Sequence, residues 1–495
     1  MVTAARRHWL FGLALAGAVV LRVLAMLAFR PIMWFGGDSA SYLATGLRLV
    51  PDPSRVGGYG FMLRALLPLH SFAVVAGAQH VMGLAIGLII YLLARRYGLP
   101  AWGATLAAVP VFFDAYELQL EQDVVPDIPF SLLVFIALYL LLRSPGERRP
   151  AFAAAAAFCL GLTAITWPVG LALLAVLLIA LIIRRAGWLA LVAALVAGAV
   201  PVVGYAAWFD VHAHQFSLTR SDGVYLWSRT MSFANCAVIK PPADQRILCP
   251  PSEGPRQAAS LYIWSGNSPL LRMPGGRFSA RTNSLALHFA LRAIAAQPGG
   301  YLAAAGHDFA LSFYWDRPVH PDAGIVDRYQ FADATTAWVP AGMGAIGGGT
   351  VASDQAAYNG GRPAPTRAVQ PFASWLVSYQ RYVYLRGTLL GVILLGGLAA
   401  MIARKRAAGL PWAFAVTILL VPPMIADFDL RYLLPAMPAA CLAAALGCAP
   451  GKDAPGKDKR TCTTSPAATG SETPEASRTS SRPSGSTPAA SPESG

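Results

Sequence analysis

The sequence predicts an all-α polytopic membrane protein with about ten transmembrane helices and one large external loop region of mixed structure. Two properties of its composition support this class. Hydrophobic residues make up 55% of the 495 residues and charged residues only 13%, against roughly 25% charged residues in soluble domains. The mean hydropathy of +0.49 shows the same bias. Because so few charges cannot cover the surface of a soluble protein of this length, lipid must cover much of it.

The third observation is the length of the apolar segments. A helix needs about 20 mostly apolar residues to span a bilayer. Several segments are shorter, and we expect them to extend further or to meet thinner bilayer. The first resembles a signal peptide but lacks a cleavage site and contains Arg22, so it is predicted to remain as a helix. The candidate segments are 9–29, 71–94, 100–114, 127–142, 151–166, 168–183, 187–208, 383–403, 411–426 and 431–448.

The basic residues predict the orientation. Lys and Arg concentrate in alternate loops, at 6–7, 95–96, 143–149, 184–185 and 404–406, and the acidic residues lie in the opposite loops. The positive-inside rule therefore places both termini in the cytoplasm and the acidic loops outside the cytoplasmic (inner) cell membrane. The net charge of +14 then marks a basic cytoplasmic face. A nucleic-acid partner is disfavoured, because no basic stretch alternates with stacking aromatic residues.

Four regions follow from this topology. Residues 1–208 form an N-terminal module of seven helices, 209–382 a large external region, and 383–448 three C-terminal helices. Residues 449–495 are rich in Ser, Thr, Pro and Gly and are predicted to be a disordered cytoplasmic tail. The external region contains Cys236 and Cys249, the two cysteines predicted to lie outside, where the compartment is oxidising. A disulfide between them is expected, with two free thiols as the alternative.

The first external loop contains Asp38, just beyond the first apolar segment. Apolar residues follow from Tyr42 at roughly helical spacing, which predicts an amphipathic helix in the membrane interface. A carboxylate at this boundary could deprotonate a hydroxyl group beside a lipid-borne donor. Alternatively, Asp38 could serve only as the N-cap of the helix.

The second external loop concentrates carboxylates near the entrance of the fourth apolar segment. Glu117 and Glu121 are four positions apart, so a helix would place them on one face. Like charges this close repel unless a cation or a basic group lies among them, so these two are candidate ligands of a divalent cation. The carboxylate of Asp127 would stabilise the N-terminus of the next helix. Alternatively, these carboxylates simply lie in a solvated loop. The carboxylates are Asp114, Glu117, Glu121, Asp123 and Asp127.

The third feature is Arg431, at the outer end of the last apolar segment. A guanidinium group at this depth is costly unless it pairs or binds something, and its planar fork suits a phosphate group. An ion pair with Asp427 or Asp429 is the alternative. Within the first two helices, Arg22 and His80 are expected mainly to be packing or intrahelical partners.

Together these motifs resemble the GT-C superfamily of polytopic glycosyltransferases, in particular the bacterial phospholipid-carrier-dependent enzymes related to protein O-mannosyltransferases and the aminoarabinose transferase. The resemblance covers residues 8–448. It departs from the family at 58–60, which read GYG where GYP is usual, and at Ser39, where many relatives have a second acid. The matching residues are Asp38, Tyr42, Arg55, Gly58 and Tyr59, then Glu121 to Asp127 with Pro129 and Phe130, then Arg431, Tyr432, Pro435 and Pro438.

The resemblance implies transfer of a monosaccharide from a polyprenyl-phosphate donor to an acceptor hydroxyl outside the cell membrane. It implies Asp38 as the catalytic base, Asp127 as a second acid with Glu121 as its neighbour, and Arg431 as the phosphate ligand. The further candidates for substrate or phosphate contacts are Tyr432, Arg55, Tyr59 and Tyr42. Aromatic residues of the external region could stack on sugars or lie at the lipid interface, namely Tyr225, Trp227, Tyr262, Trp264, Tyr314 and Trp315.

Two other functions fit the same topology. A secondary transporter would place its ionisable residues near the bilayer midplane, whereas the acidic residues here lie at the predicted outer boundary. A non-catalytic assembly protein of the cell envelope would also suit a large external region. A glycan, a lipid or a protein would each fit as acceptor, and the motifs single out no particular sugar.

Overall fold

The structure is a computed structural model and describes residues 2–143, 149–251, 256–334, 340–403 and 406–450. The described residues belong to one compact unit, which is almost entirely helical. Its one sheet is a pair of two-residue strands, in which β1 (Phe29–Arg30) runs antiparallel to β2 (Arg367–Ala368). The all-α fold class is therefore confirmed. The predicted disordered tail lies outside the described residues from 451 onwards.

The helices are numbered here in chain order. Helices α1 to α10 are Val2–Ala28, Gly36–Arg48, Gly58–Leu66, Phe72–Arg96, Ala101–Phe113, Ala115–Gln122, Asp127–Arg143, Arg149–Thr166, Val169–Ile183 and Trp188–Ala213. Helices α11 to α21 are Asp222–Thr230, Cys236–Ile239, Ala259–Trp264, Ala280–Ala296, Pro298–Leu311, Ala323–Val326, Val351–Tyr358, Phe372–Gln380, Gly387–Ile402, Arg406–Ile425 and Leu433–Cys448.

Each of the ten predicted apolar segments corresponds to one helix, namely α1, α4, α5, α7, α8, α9, α10, α19, α20 or α21. Six helical stretches are long and apolar enough to cross a membrane, and they lie in α1, α4, α8, α10, α20 and around α21. Helices α5, α9 and α19 are apolar but shorter. The chain is thus a polytopic helical membrane protein, and the number of ten crossings stays a prediction.

Helix α21 lies at the centre of the bundle and packs against α4, α5, α19 and α20. Most of its side chains are buried. Helices α8 and α10 pack along each other, and a Cβ at Gly161 would lie only 2.4 Å from the carbonyl oxygen of Gly198. Small residues at such positions let two helix backbones approach closely, which is how helices associate in lipid.

The bundle has two chemically different ends. At one end, the Tyr97 hydroxyl donates to the Leu142 carbonyl (3.0 Å) and His8 bonds to the Tyr91 hydroxyl. These contacts bring together the start of α1 and the last turns of α4 and α7, where the basic residues lie. At the other end, the backbone N–H of Leu385 donates to Asp114 (2.7 Å), so α5 ends beside the start of α19. Which end faces the cytoplasm stays a prediction.

The region between α10 and α19 is largely helical and contains a hydrophobic core of its own around Trp227. The Trp227 indole N–H donates to the Leu248 carbonyl (2.9 Å). The predicted disulfide between Cys236 and Cys249 is present in the structure. This region docks on the first loop through the Arg220 backbone N–H, which donates to the Pro53 carbonyl (2.8 Å). The division of the chain at residues 208 and 382 stays a prediction.

Candidate active site

Asp38 lies in the first turn of α2, the amphipathic helix that the sequence predicts after the first apolar segment. The helix begins after Phe35, and no side chain caps it. The capping interpretation of Asp38 is therefore wrong, because the backbone enters the helix three residues earlier than that interpretation requires. The carboxylate of Asp38 instead pairs with Arg431 and Arg55, and the side chain stays 30% exposed. It is thus both charged and open to a solute.

Arg431 joins three elements at one point. Its Nε and Nη2 atoms donate to the two carboxylate oxygens of Asp127 (3.1 and 2.7 Å), and its Nη1 donates to Asp38 (2.9 Å). The guanidinium lies over the ring of Phe35, 5.3 Å from its centre. Asp127 begins α7, Asp38 lies in α2, and Arg431 directly precedes α21. Since a guanidinium has five N–H groups, two remain for a further acceptor.

The alternative pairing of Arg431 with its sequence neighbours is not what the structure shows. The side chain of Asp429 accepts the backbone N–H of Arg431 (3.3 Å) and the hydroxyl proton of Tyr329. The side chain of Asp427 accepts the backbone N–H of Ser260 (2.9 Å). Asp429 therefore holds the backbone at Arg431 and Asp427 holds that of Ser260, while the partners of the guanidinium come from distant parts of the chain.

Arg55 extends the cluster toward the external region. It pairs with Asp38 and lies 3.8 Å from Asp52, measured between Nε and Oδ2. Its guanidinium lies between the rings of Tyr42 (6.0 Å) and Trp264 (5.7 Å). Burial alone would raise the pKa of Asp38, but the charges of Arg55 and Arg431 outweigh it and hold that pKa below its usual value. Asp38 is therefore ionised at neutral pH.

The remaining tyrosines predicted to contact substrate support the charged cluster by packing and hydrogen bonding with their neighbours. Tyr59 is buried, its hydroxyl donates to Gln79 (2.7 Å), and its ring packs edge-on against Tyr42 at 5.3 Å. Tyr432 stacks on Trp167 with ring centres 4.9 Å apart. Of these tyrosines, Tyr42 is the one whose ring lies beside the guanidinium of Arg55.

Glu121 belongs to a second, buried group. Its carboxylate accepts from Arg22 (2.6 Å) and bonds to Nδ1 of His80 (2.7 Å), and none of the three side chains is more than 4% exposed. Arg22 and His80 come from α1 and α4. The expected intrahelical contact of Arg22 is present, since its Nη1 donates to the Ala18 carbonyl (3.3 Å), and both side chains also bond to Glu121 of α6. They bind between helices because Gly83 leaves room, since a Cβ there would lie 1.8 Å from Glu121. The structure thus places Glu121 in this group, apart from the pairs of Arg431.

The described residues include no group of three or more His, Cys, Asp or Glu that could hold a metal ion. Burial, followed by the charges of Glu121 and Asp114, raises the pKa of Glu117 well above its usual value. The divalent cation considered from the sequence at Glu117 and Glu121 stays a prediction.

The structure contains an apolar groove of about 270 Å³. It is formed by α3, α4, α7 and α8, and it starts three residues after Arg55 and two residues after Asp127. Its polar lining is minor, so an apolar chain is the natural occupant. The lining residues include Gly58, Tyr59, Met62, Pro129, Leu133 and Ile165.

No protein-family model matches the sequence, and no curated protein matches it. Among solved structures, an oligosaccharyltransferase from Archaeoglobus fulgidus with a tethered acceptor peptide is similar, with a TM-score of 0.40 at 12% identity over 90% of this chain. This chain spans 50% of that protein's length. ArnT from Cupriavidus metallidurans is similar in its apo form (TM-score 0.37, 14% identity, 88% of this chain and 76% of that chain).

ArnT bound to undecaprenyl phosphate is also similar, with a TM-score of 0.35 at 13% identity, over 88% of this chain and 76% of that chain.

Proposed function

We propose that this protein is a membrane glycosyltransferase, which moves a monosaccharide from a polyprenyl-phosphate donor to an acceptor hydroxyl on the outer side of the cytoplasmic membrane. The observation that carries the proposal is the cluster in which Asp38 and Asp127 share Arg431. It lies at the end of the bundle opposite the basic residues. It combines a base, a ligand for phosphate and an apolar groove, which are the three requirements of this reaction.

Asp38 is the proposed general base. Its carboxylate is ionised, and the side chain is 30% exposed. An acceptor hydroxyl can therefore approach it. As the acceptor oxygen attacks the anomeric carbon, its proton passes to Asp38, and the bond from that carbon to the phosphate oxygen breaks. This single displacement inverts the configuration of the sugar, and it requires Asp38 and Arg431, which bond directly at 2.9 Å in the structure, to separate so that the sugar lies between base and phosphate.

Arg431 is the proposed ligand of the donor phosphate. Asp127 holds the guanidinium by two parallel bonds, which fixes the plane of its remaining N–H groups. As the polyprenyl phosphate leaves, negative charge grows on its oxygens, and a fixed cation at this place stabilises that charge. Because phosphate is a good leaving group, the reaction needs no covalent intermediate with the enzyme.

The apolar groove is the proposed site of the first isoprenoid units of the donor. Pro129 and Gly58 line it, and they follow Asp127 and Arg55 closely in the chain. An isoprenoid chain lying in the groove would thus bring the phosphate at its end to the charged cluster. Donor from the bilayer and acceptor from the aqueous side would meet at Asp38.

The proposal is tested by assaying purified protein in lipid nanodiscs with a panel of radiolabelled polyprenyl-phosphate sugars. Replacing Asp38 by Asn keeps the size of the side chain but removes the base, so we expect transfer to fall by about 10²- to 10⁴-fold. Asp316→Asn is the matched control, because that side chain is 80% exposed and pairs with Arg386. Equal transfer by the wild type and Asp38→Asn, or no transfer from any donor, would contradict the proposal.

A further inference from the structure

The aromatic residues that the sequence predicts as sugar-stacking candidates lie in different environments in the structure. Trp227 is fully buried in the core of the external region, and Tyr262 is nearly so. Tyr314 and Trp315 are about half exposed, and Trp315 lies beneath the guanidinium of Arg386 at 5.6 Å. Exposed aromatic residues beside an arginine are typical of a membrane interface. These four residues therefore have other roles in the structure.

Trp264 differs from them because its ring contacts the charged cluster. The guanidinium carbon of Arg55 lies 5.7 Å from the centre of this ring, and the same guanidinium pairs with Asp38. The indole is nevertheless 43% exposed. A ring placed against Trp264 would therefore be separated from the proposed base by one guanidinium group.

The position of Trp264 is fixed from two directions. Its ring packs against Phe278 with centres 5.5 Å apart, and Arg277 donates to the next carbonyl, that of Ser265 (2.9 Å). At the other end of α13, the backbone N–H of Ser260 donates to Asp427 (2.9 Å), four residues before Arg431. The ring is thus held beside the cluster with much of its surface open.

We infer that Trp264 is the surface on which a sugar ring of the acceptor stacks, and that the acceptor is therefore a carbohydrate. This inference rests on the proposed function. The C–H face of a pyranose is apolar and suits an indole, which offers a large and rigid contact area. The neighbouring Arg55 can donate hydrogen bonds to sugar hydroxyls. Because the Arg55 guanidinium separates the stacked ring from Asp38, the hydroxyl that loses its proton belongs to the part of the acceptor that extends past Arg55.

A peptide acceptor would need different features. One mode of binding an extended peptide is by main-chain hydrogen bonds to an exposed strand, and the one described sheet consists of two two-residue strands that pair with each other. A sugar ring instead has an apolar face and an edge of hydroxyl groups. An exposed indole matches the face, and the neighbouring guanidinium and carboxylate match the hydroxyl groups.

The test measures acceptor binding without transfer. Saturation-transfer difference NMR is recorded on the full-length protein in nanodiscs with methyl glucopyranoside, methyl mannopyranoside, methyl arabinofuranoside and a Ser-containing peptide. We expect signals from the ring C–H protons of at least one glycoside. Trp264→Ala should weaken that binding by about tenfold, the order that one stacking contact contributes. Trp264→Phe should recover part of it.

Trp315→Ala is the matched control, since it removes an equally exposed indole outside the cluster, and its glycoside binding should equal that of the wild type. Glycoside binding unchanged in Trp264→Ala, or binding of the peptide alone, would overturn the inference. Glycoside binding that depends on Trp264, together with a wild type that transfers no sugar, would overturn the proposed function and leave the carbohydrate site standing. The two failures can therefore be told apart.

Discussion

Two of the groups of arginine and carboxylate side chains among the described residues differ in accessibility, namely the group around Glu121 and the cluster around Asp38. In the buried group, Arg22 pairs with Glu121 and also donates to the carbonyl of Phe112 (2.8 Å), and its side chain is 3% exposed. In the site cluster, Arg431 is 11% exposed and its partner Asp38 is 30% exposed. The same chemical types therefore serve as a fixed internal connection in one place and as an open site in the other.

The backbone connects the two groups. The segment that follows Glu121 pairs with the chain before α2, since the Met33 backbone N–H donates to the Gln122 carbonyl (2.9 Å). The Ser39 hydroxyl then donates to the Val124 carbonyl (2.9 Å), next to Asp38. The buried group therefore holds the segment that packs against α2 and leads into α7. Its contribution to the site is to fix the position of these two helices.

The largest expected effect comes from breaking the buried group. Glu121→Ala leaves Arg22 and His80 without their carboxylate partner inside the bundle, which should destabilise the protein by about 3–5 kcal/mol. We expect low yield and an early thermal transition in detergent, measured by the temperature of aggregation. A Glu121→Ala protein with wild-type stability and greatly reduced transfer would instead place Glu121 in the reaction.

Arg431→Lys should lower the rate of transfer and leave stability nearly unchanged, the opposite of what is expected for Glu121→Ala. Lysine keeps the charge beside Asp38 and Asp127 but loses the two parallel hydrogen bonds. We expect transfer to fall by about 10²- to 10³-fold, the order found when one oxyanion ligand is lost, with little change in the aggregation temperature. Initial rates at saturating donor measure this loss. If Arg431→Lys unfolds as readily as Glu121→Ala, the distinction between the two groups fails.

A smaller effect is expected from Gly83→Ala. The new methyl group would lie 1.8 Å from the carboxylate of Glu121, so the ion pair with Arg22 must shift. Overpacking of this kind costs about 1–3 kcal/mol. Gly77→Ala in the same helix is the control, because a Cβ there would lie 3.6 Å from its nearest neighbour, the side chain of Met26. Equal aggregation temperatures for the two variants would show that the room at Gly83 is unimportant.

The smallest expected effect is a pH dependence of donor binding. Burial raises the pKa of Asp429 to about 6, although Arg431 and Tyr329 oppose it. Below pH 6 its carboxyl group is protonated, and above pH 6 its negative charge lies beside the phosphate ligand. The KM for the donor should therefore rise a few-fold between pH 5 and 7, and Asp429→Asn should abolish that rise. A rise that persists in Asp429→Asn would assign it to another group.

The sequence predicts the helices well because apolar runs are local signals, and the positions of Asp38 and Arg431 at helix ends follow from them. The partners could not be predicted in the same way. Sequence proximity favours Asp427 or Asp429 for Arg431, but a tight turn directs both to backbone N–H groups. The pairing of Arg22 with Glu121 depends on space left by a glycine in a third helix, for which the sequence carries no local signal.

The apolar groove lined by Gly58 and Pro129 has a consequence for kinetics. A donor that reaches the site through such a groove is dissolved in the bilayer, so its effective concentration is its mole fraction among the lipids. Adding donor-free lipid at constant total donor should slow transfer, while diluting the whole suspension should leave the donor dependence unchanged. The acceptor should obey ordinary volume concentrations. The proposed function therefore predicts a rate law that is two-dimensional for the donor and three-dimensional for the acceptor.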